Sequence, residues 1–150
     1  MSETYFALLT PAGAGAIATL AVRGPDAWTV CRALFTATAG ELPENPDAVP
    51  PGRFYLGQFG EEMRDEAILA LCDTSPPWVE LHCHGARELL DMLCELFRSR
   101  GIGERSWSEW HHETAMSATR ASAAIQLAHA PTRRTAEILL HQYHRAFDDA

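Results

Sequence analysis

The chain of 150 residues has the length of a single domain, and its 47% hydrophobic and 21% charged residues exclude a disordered chain. Twelve basic and twenty acidic residues give a formal charge of −8, which excludes a domain that grips RNA or DNA tightly on its own. The apolar runs are too short to cross a bilayer and the N-terminus lacks a secretion signal, so we expect a cytoplasmic protein without membrane contact.

The first half of the chain alternates between short strands and one helix. The sequence "YFALL" at 5–9 predicts a buried strand, and "TPAGAGA" at 10–16 predicts a glycine-rich loop. Alternating side chains at 16–24 predict a second strand. After this strand, apolar residues spaced three and four apart predict a helix that runs to Leu34.

The middle of the chain predicts a β-hairpin or a meander, one further strand and a strong amphipathic helix. The proline-rich stretch at 40–52 has no periodicity and is typical of a surface connection. Residues 53–73 predict a hairpin that turns at the two glutamates after Gly60, and "WVELHCH" at 78–84 predicts the next strand. An amphipathic helix follows and ends at Gly101.

The last third of the sequence changes character. The polar and aromatic stretch at 104–114 predicts a loop, and two alanine-rich helices separated at Pro131 follow it. We therefore expect an α+β domain over residues 1–103, with a mixed or antiparallel sheet and packed helices, and a linker with C-terminal helices over 104–150. The final helix lacks a stop signal, which suggests that the chain is part of something longer.

The stretch "WVELHCHGA" at 78–86 carries residue types found in metal and catalytic sites. In a strand, Glu80, His82 and His84 share one face and Cys83 points to the other. Zinc needs three or four protein ligands, so polar groups on a half-exposed strand explain the pattern more simply, and a zinc-dependent hydrolase is the weaker alternative. A cysteine nucleophile is disfavoured because the imidazoles lie on the opposite face. We predict no metal and no catalytic residue.

Cysteine spacing and glycine spacing exclude two further classes of site. The four cysteines lie far apart inside apolar patterns without any C-x-x-C pair, which indicates free thiols in a reducing compartment. The "GAG" sequence at 13–15 fits neither the dinucleotide-binding nor the P-loop pattern. These 150 residues therefore contain no evident means of hydrolysing a nucleoside triphosphate.

Two separate motifs carry a family resemblance. The stretch "ALLTPAGAGAIATLAVRGPDAWTVCRALF" at 7–35 resembles the opening of the MnmE, or TrmE, family of tRNA-modification GTPases, which has T-P-x-G-x-G-[GA]-I between two strands. The stretch "RDEAILALCDTSPPWVELHCHGARELLDMLCELFRSRG" at 64–101 is similar to the family's D-E strand, its V-E-I-H-C-H-G-G strand and the helix after it. The alanine-rich C-terminal helices are similar, more weakly, to the start of the family's helical domain.

The resemblance implies a fold related to the folate-binding domain of aminomethyltransferases. In the family, this N-terminal domain forms a homodimer and holds a 5-formyl- or methylene-tetrahydrofolate derivative, whose one-carbon unit goes to the wobble uridine of certain tRNAs. A separate GTPase domain and a flavin-dependent, MnmG-like partner take part. We expect the folate pocket to be lined by backbone and side chains of Gly13, Gly15, Arg23, Glu80, His82 and His84.

Four departures from the family pattern support a rival hypothesis. The family's S-Y-T-G-E-D segment is replaced by the shorter "TSPPW" at 74–78, and the family's strand arginine has moved to Arg23 or been lost. Ala86 replaces the second glycine of H-G-G, and the P-G-E-F-T segment expected after Gly101 is absent. Such losses remove polar anchors from a folate pocket. The alternative is therefore an interaction and dimerisation module that kept the fold and lost the ligand.

Overall fold

A computed structural model of the chain describes residues 3–10 and 15–144. Within these ranges the chain is an α+β protein with seven strands, five α-helices and one short 3₁₀ helix, as the sequence predicts. The strands are β1 Tyr5–Leu8, β2 Ile17–Arg23, β3 Phe35–Ala37, β4 Phe54–Gly60, β5 Arg64–Thr74, β6 Pro77–His84 and β7 Gly103–Glu104. The helices are α1 Ala27–Leu34, α2 Arg87–Ser99, α3 Trp107–Thr114, α4 Ala118–Ala128 and α5 Arg133–Tyr143, with the 3₁₀ helix at Pro46–Ala48.

The chain divides into two compact units, Met1–Glu104 and Arg105–Ala150. All seven strands lie in the first unit and form one mixed sheet in the order β3-β4-β5-β6-β2-β1-β7. Only the pairing of β1 with β7 is parallel among the described strands. The central position of β6, between β5 and β2, places the strand of the two histidines in the middle of the sheet.

One face of the sheet, which we call the helix-packed face, forms the hydrophobic core with α1 and α2. Alternate residues of β6, Val79, Leu81 and Cys83, point into this core and are almost fully buried. In α2, the Phe97 ring lies 5.2 Å from the ring of Phe6 and 5.8 Å from that of Phe59, centroid to centroid. The burial of these rings ties α2 to both halves of the sheet.

The opposite face, which we call the second face, carries the remaining residues of the same strands. Glu80 and His82 of β6 lie on it, beside Thr19 of β2. The predicted division of β6 into an apolar and a polar face is therefore confirmed. The exposed apolar side chains of this face belong to the strands on either side of β6, and these are Ile17, Phe54, Leu56 and Ile68.

The predicted helix after the histidine strand is confirmed, and its end follows the expected chemistry. Helix α2 stops at Ser99, and Gly101 after it has a φ of 75°. That left-handed conformation is readily adopted only by a residue without a Cβ atom. The hairpin of β4 and β5 also turns at the predicted glutamates, because Gly60 pairs with Arg64 at its tip.

The loop predicted at 104–114 is wrong, because Trp107–Thr114 forms helix α3. Its first turn is closed by a capping box in which the Ser106 hydroxyl accepts a hydrogen bond from the backbone N–H of Glu109, and the Glu109 carboxylate accepts one from the backbone N–H of Ser106. These contacts satisfy two N–H groups that a helix start otherwise leaves without partners. The polar residues at 104–114 indicated a loop, but two of them, Ser106 and Glu109, form this helix cap.

The second unit consists of α3, α4 and α5, and the two predicted alanine-rich helices are confirmed in the described residues. Helix α4 packs along α5, where the Arg120 guanidinium lies 4.5 Å from the centroid of the Tyr143 ring. Ala121 and Ala123 of α4 are buried. Within the described ranges, no helix combines the length and the apolar composition that crossing a bilayer requires.

Candidate functional site

The candidate site lies on the second face, where β2 pairs with β6. In this antiparallel register Thr19 lies opposite His82, and Ala21 lies opposite Glu80. Residues opposite each other on one face approach closely enough for their side chains to interact. Strand pairing therefore brings together a hydroxyl, an imidazole and a carboxylate from two segments that lie about sixty residues apart in the chain.

These three side chains form a continuous polar row. The Thr19 Oγ1 atom lies 2.9 Å from Nδ1 of His82, within hydrogen-bond distance. On the other side of the ring, His82 Nε2 lies 3.5 Å from Oε2 of Glu80, a longer contact that is electrostatic in character. The side chains of His82 and Glu80 are 33% and 23% exposed, so the row is accessible to a ligand.

His84, at the end of β6, makes a separate ion pair. Its Nδ1 atom lies 2.7 Å from Oδ2 of Asp65 on β5. The hydrogen bond that the His84 ring donates to Asp65 is the main cause that raises the pKa of His84 above its ordinary value, and the negative charge of the same carboxylate adds to it. His84 is thus directed toward β5, whereas His82 is directed toward β2 and Glu80.

The predicted approach of the glycine turn to the histidine strand is visible at Gly15. The backbone N–H of Gly85 donates a hydrogen bond of 3.0 Å to the carbonyl oxygen of Ala16. A Cβ atom added to Gly85 would overlap the carbonyl oxygen of Gly15, so this close contact requires glycine. Gly13, the other predicted glycine of the site, lies outside the described residues.

Arg23 lies on the same face but at the far end of the row. It pairs with Trp78 in the register of β2 and β6, and its guanidinium lies 5.8 Å from the centroid of the indole ring. Trp78 precedes His82 by four residues, which places Arg23 roughly 13 Å from the Thr19–His82 pair along the strand. The structure therefore brings Glu80 and His82 together with Thr19, and it places the Gly15 backbone at one end of this row, beside Gly85, and Arg23 at the other end, beside Trp78.

The cysteines show no sign of nucleophilic activation. Burial raises the pKa of Cys83 to about 11, with the nearby Asp65 carboxylate contributing in the same direction. Burial also raises the pKa of Cys72 to about 11, helped by the charge of Glu80 and by a hydrogen bond to it. Among the described residues, no three His, Cys, Asp or Glu side chains are grouped so that they could hold a metal ion.

Two residues of the site were missed by sequence reasoning. Thr19 was recognised only as a strand residue, and Asp65 only as part of a family motif, although they are the partners of His82 and His84. Both contacts depend on the register between strands, which short-range patterns do not reveal. The D-E motif at the start of β5 was the one available signal for Asp65.

Comparison with known proteins identifies the family to which this chain belongs. Residues 4–109 match the family described as GTP-binding protein TrmE N-terminus. A protein called tRNA modification GTPase MnmE from Alkalilimnicola ehrlichii is 30% identical over 159 aligned residues, which cover 98% of this chain and 34% of that protein. Its namesake from Christiangramia forsetii is 33% identical over 117 residues, covering 69% of this chain and 24% of that protein.

A further MnmE, from Cytophaga hutchinsonii, is 24% identical over 159 residues that cover 99% of this chain and 33% of that protein. The chain thus spans about a third of the length of the relatives that it matches almost end to end. The family match covers most of the first unit and its sheet, including every described residue of the candidate site. This chain therefore belongs to the family of TrmE N-terminal domains and is homologous to the MnmE tRNA modification GTPases.

Proposed function

We propose that this domain binds a tetrahydrofolate derivative, 5-formyl- or methylene-tetrahydrofolate, and forms a homodimer as the N-terminal part of a tRNA-modification system. The observation that carries the proposal is the polar row of Thr19, His82 and Glu80 on the second face of the sheet. A folate presents a flat pteridine with several hydrogen-bonding groups on its edge, and such a ligand needs a few placed polar partners within an otherwise apolar surface.

The residues around the row fit such a ligand. Ile68 of β5 lies directly opposite His82 in the register and is 37% exposed, so an apolar surface adjoins the polar row. Arg23 is a cation on this face, and its long side chain suits it to attract a flexible anionic tail from the margin of the site. Binding and orientation are the proposed roles of these side chains, and the one-carbon chemistry belongs to the cofactor.

Exposed apolar side chains support the dimerisation part of the proposal. On β4, Phe54 is 62% exposed and Leu56 is 48% exposed, and both lie on the second face next to Ile68. A cluster of large apolar side chains on one surface is typical of a protein contact. A second copy of the chain that covers this surface would also shield the folate from water.

The wider assignment draws on the names of the relatives for tRNA modification and a GTPase, and on the family resemblance of the sequence motifs for the rest. We propose that the domain acts in the cytoplasm in the modification of the tRNA wobble uridine, together with a GTPase domain and a flavin-dependent, MnmG-like partner. The charge of −8 supports a division of labour in which other parts of such a system hold the tRNA, because a domain of this charge attracts nucleic acid poorly.

Calorimetric titration of the chain with 5-formyl-tetrahydrofolate tests the folate proposal. We expect saturable binding, weakened at least tenfold by His82→Ala because this change removes the centre of the polar row. The matched control is His129→Ala, an exposed histidine of the second unit, which should bind like the unchanged chain. Absence of heat at millimolar ligand would reject the folate proposal and favour the interaction module.

Sedimentation equilibrium tests the dimer independently of the ligand. We expect a concentration-dependent dimer that is weakened by Leu56→Ser, because this change removes an exposed apolar side chain from the second face. The matched control is Met116→Ser, a change at an exposed apolar residue of the second unit. A chain that remains monomeric at high concentration would contradict the dimer and leave the titration result unaffected.

A further inference from the structure

A groove on the helix-packed side of the sheet lies between the turn of the β4–β5 hairpin and helix α2. Its cavity volume is about 390 Å³, and its apolar lining consists of Met63 from the turn and of Met92 and Leu96 from α2. Met63 is 69% exposed, whereas Met92 and Leu96 are half-buried. We call this groove the methionine groove.

The two walls of the methionine groove are held in place by contacts within the domain. The two α2 residues of the lining pack against the hydrophobic core, which fixes the helix wall. The Arg100 guanidinium, just after α2, forms an ion pair with the Glu61 carboxylate in the hairpin turn, so the walls are linked. A Cβ atom added to Gly60 would overlap the Met63 carbonyl oxygen, so the turn closes tightly at Met63. The groove is therefore formed before any partner binds.

The acidic residues around the methionine groove give it a negative rim. Glu61 and Glu62 line the groove at the hairpin turn. On α2, Glu88 lies one turn before Met92 and Glu95 lies three residues after it, so both stand on the same flank of the helix. The Glu61 and Glu95 carboxylates each pair with an arginine. Glu62 and Glu88 form no ion pair within the part of the chain that the structure describes, so their charges are available to a partner.

These features fit the side chains of an amphipathic helix better than a small molecule. Both polar residues that line the groove, Glu61 and Glu62, are exposed, so the lining offers no buried polar group to orient a small ligand. Methionine side chains adapt their shape and are enriched at protein interfaces. A helix that lays apolar side chains between Met63 and Met92 brings its flanking positions over the acidic rim. Lysine or arginine at those positions complements the rim carboxylates.

We propose that the methionine groove is a docking site for a basic amphipathic helix of a partner protein, whose apolar side chains enter the groove and whose lysine or arginine side chains pair with Glu62 and Glu88. The net charge of −8 supports this choice, because a protein of this charge attracts a basic partner toward its surface. The docking site is separate from the proposed folate site and the proposed dimer surface, since both of those lie on the second face.

A pair of synthetic peptides tests the chemistry of the partner. Both peptides are amphipathic helices with leucines spaced three and four residues apart, and the polar positions carry lysine in one peptide and glutamate in the other. In fluorescence anisotropy with the full chain, we expect saturable binding of the lysine peptide and binding at least about tenfold weaker of the glutamate peptide. The affinity of the lysine peptide should fall as the salt concentration rises. No binding of the lysine peptide, or equal binding of the two peptides, would overturn the proposal.

Substitutions at the groove test where the lysine peptide binds. Met63→Ser removes an exposed apolar wall, so we expect the dissociation constant to rise about fivefold to tenfold, with the fold retained by circular dichroism. The matched control is Met116→Ser, at an exposed methionine of the second unit, which should bind like the unchanged chain. Glu62→Gln should raise the dissociation constant about threefold and reduce its salt dependence, and Glu44→Gln in an exposed connection is its control. Equal affinities of Met63→Ser and Met116→Ser would overturn the proposed location.

The methyl resonances of the methionines identify the residues that the peptide contacts. We expect the lysine peptide to shift the NMR signals of the Met63 and Met92 methyl groups and to leave that of Met116 in place. Shifts confined to Met116 would place the peptide on the second unit and overturn the proposal. Sedimentation of Met63→Ser tests the rival occupant, a second copy of the chain. Weaker self-association of this variant with unchanged peptide binding would assign the groove to a dimer contact and overturn the proposal.

Discussion

The two faces of the sheet are built from the same strands and serve opposite purposes. On β6, Val79, Leu81 and Cys83 fill the core under the helices, while the residues between them, Glu80 and His82, stand on the second face. The helix-packed face gains free energy by removing apolar surface from water. The second face keeps polar and apolar side chains accessible, so it contributes less to stability and carries the residues of the proposed recognition.

The largest expected difference between the faces is in stability. Phe97→Ala removes the ring that contacts Phe6 and Phe59, so we expect a loss of about 3–5 kcal/mol in the free energy of unfolding. Phe54→Ala removes the same side chain from the second face and should change the free energy of unfolding by less than about 0.5 kcal/mol. Urea denaturation of both variants, at a low protein concentration, provides the measurement.

Similar losses in the free energy of unfolding of Phe97→Ala and Phe54→Ala would contradict the expected difference in stability between the two faces. A large effect of Phe54→Ala would mean that the second face is also part of the packed core. The slope of unfolding against urea concentration should stay the same in both, because neither change alters the surface that unfolding exposes by much.

The reactivity of the four thiols distinguishes exposed from buried positions without any mutation. Cys72 is exposed, whereas Cys31, Cys83 and Cys94 are buried. We expect iodoacetamide to modify Cys72 faster than the other three by on the order of a hundredfold or more, because a buried thiol reacts only when the structure opens. Peptide mapping by mass spectrometry identifies the modified residue.

The pH dependence of this reaction follows from the pKa of Cys72, which burial and the Glu80 charge raise to about 11. Because the thiolate is the reactive form, the rate should rise about tenfold per pH unit between roughly pH 8 and 10. Cys72→Ser should abolish the fast reaction. Modification of Cys83 at the rate of Cys72 would contradict the assignment of Cys83 to the core.

The glycine contact at the end of β6 provides a smaller effect on stability. Gly85→Ala forces a Cβ atom against the Gly15 carbonyl oxygen, so we expect a loss of about 1–3 kcal/mol and a displacement of the glycine turn. The neighbouring change Ala86→Ser should instead be neutral or stabilising by up to about 1 kcal/mol, because residue 86 occupies the N-cap of α2 without a side-chain cap. Thermal and urea denaturation measure the stability of both variants. Equal effects of Gly85→Ala and Ala86→Ser on the free energy of unfolding would contradict the close contact between Gly85 and the Gly15 carbonyl oxygen.

Much of the fold could be predicted from the sequence because each strand shows which face is buried. Alternation in β2 and β6 indicated the two faces, and the stripe of leucines with Gly101 indicated the extent of α2. Helix α3 was missed because its composition is polar. The Ser106–Glu109 spacing is nevertheless a readable start signal for a helix.

The contacts of the candidate site could be predicted only in part. The residues Glu80, His82 and His84 were visible as polar groups on one strand face, but their partners were not. Thr19 and Asp65 are supplied by neighbouring strands, and register between strands distant in sequence follows from the packing of the whole sheet. A one-residue shift of β2 against β6 would have placed an apolar residue beside His82 instead.

The smallest expected effect concerns the titration of His84 at the edge of the second face. Its pKa is raised above 6.5 mainly by the hydrogen bond that its ring donates to Asp65, so Asp65→Asn should return the pKa toward 6.5. The charge of Glu66 is a minor cause, so Glu66→Gln should lower the pKa by less. Histidine resonances followed by NMR across the pH range give both values.

The raised pKa of His84 determines whether the stability of the fold rises or falls with pH. A pKa raised in the folded state means that the His84–Asp65 pair stabilises the fold fully below about pH 6.5, and that this contribution is lost as pH rises through the folded pKa. Asp65→Asn should therefore flatten the decline in stability over that window, while Glu66→Gln should leave most of it. If His84 titrates identically in both variants, Asp65 does not hold the imidazole, and His84 becomes free to face a ligand beside His82.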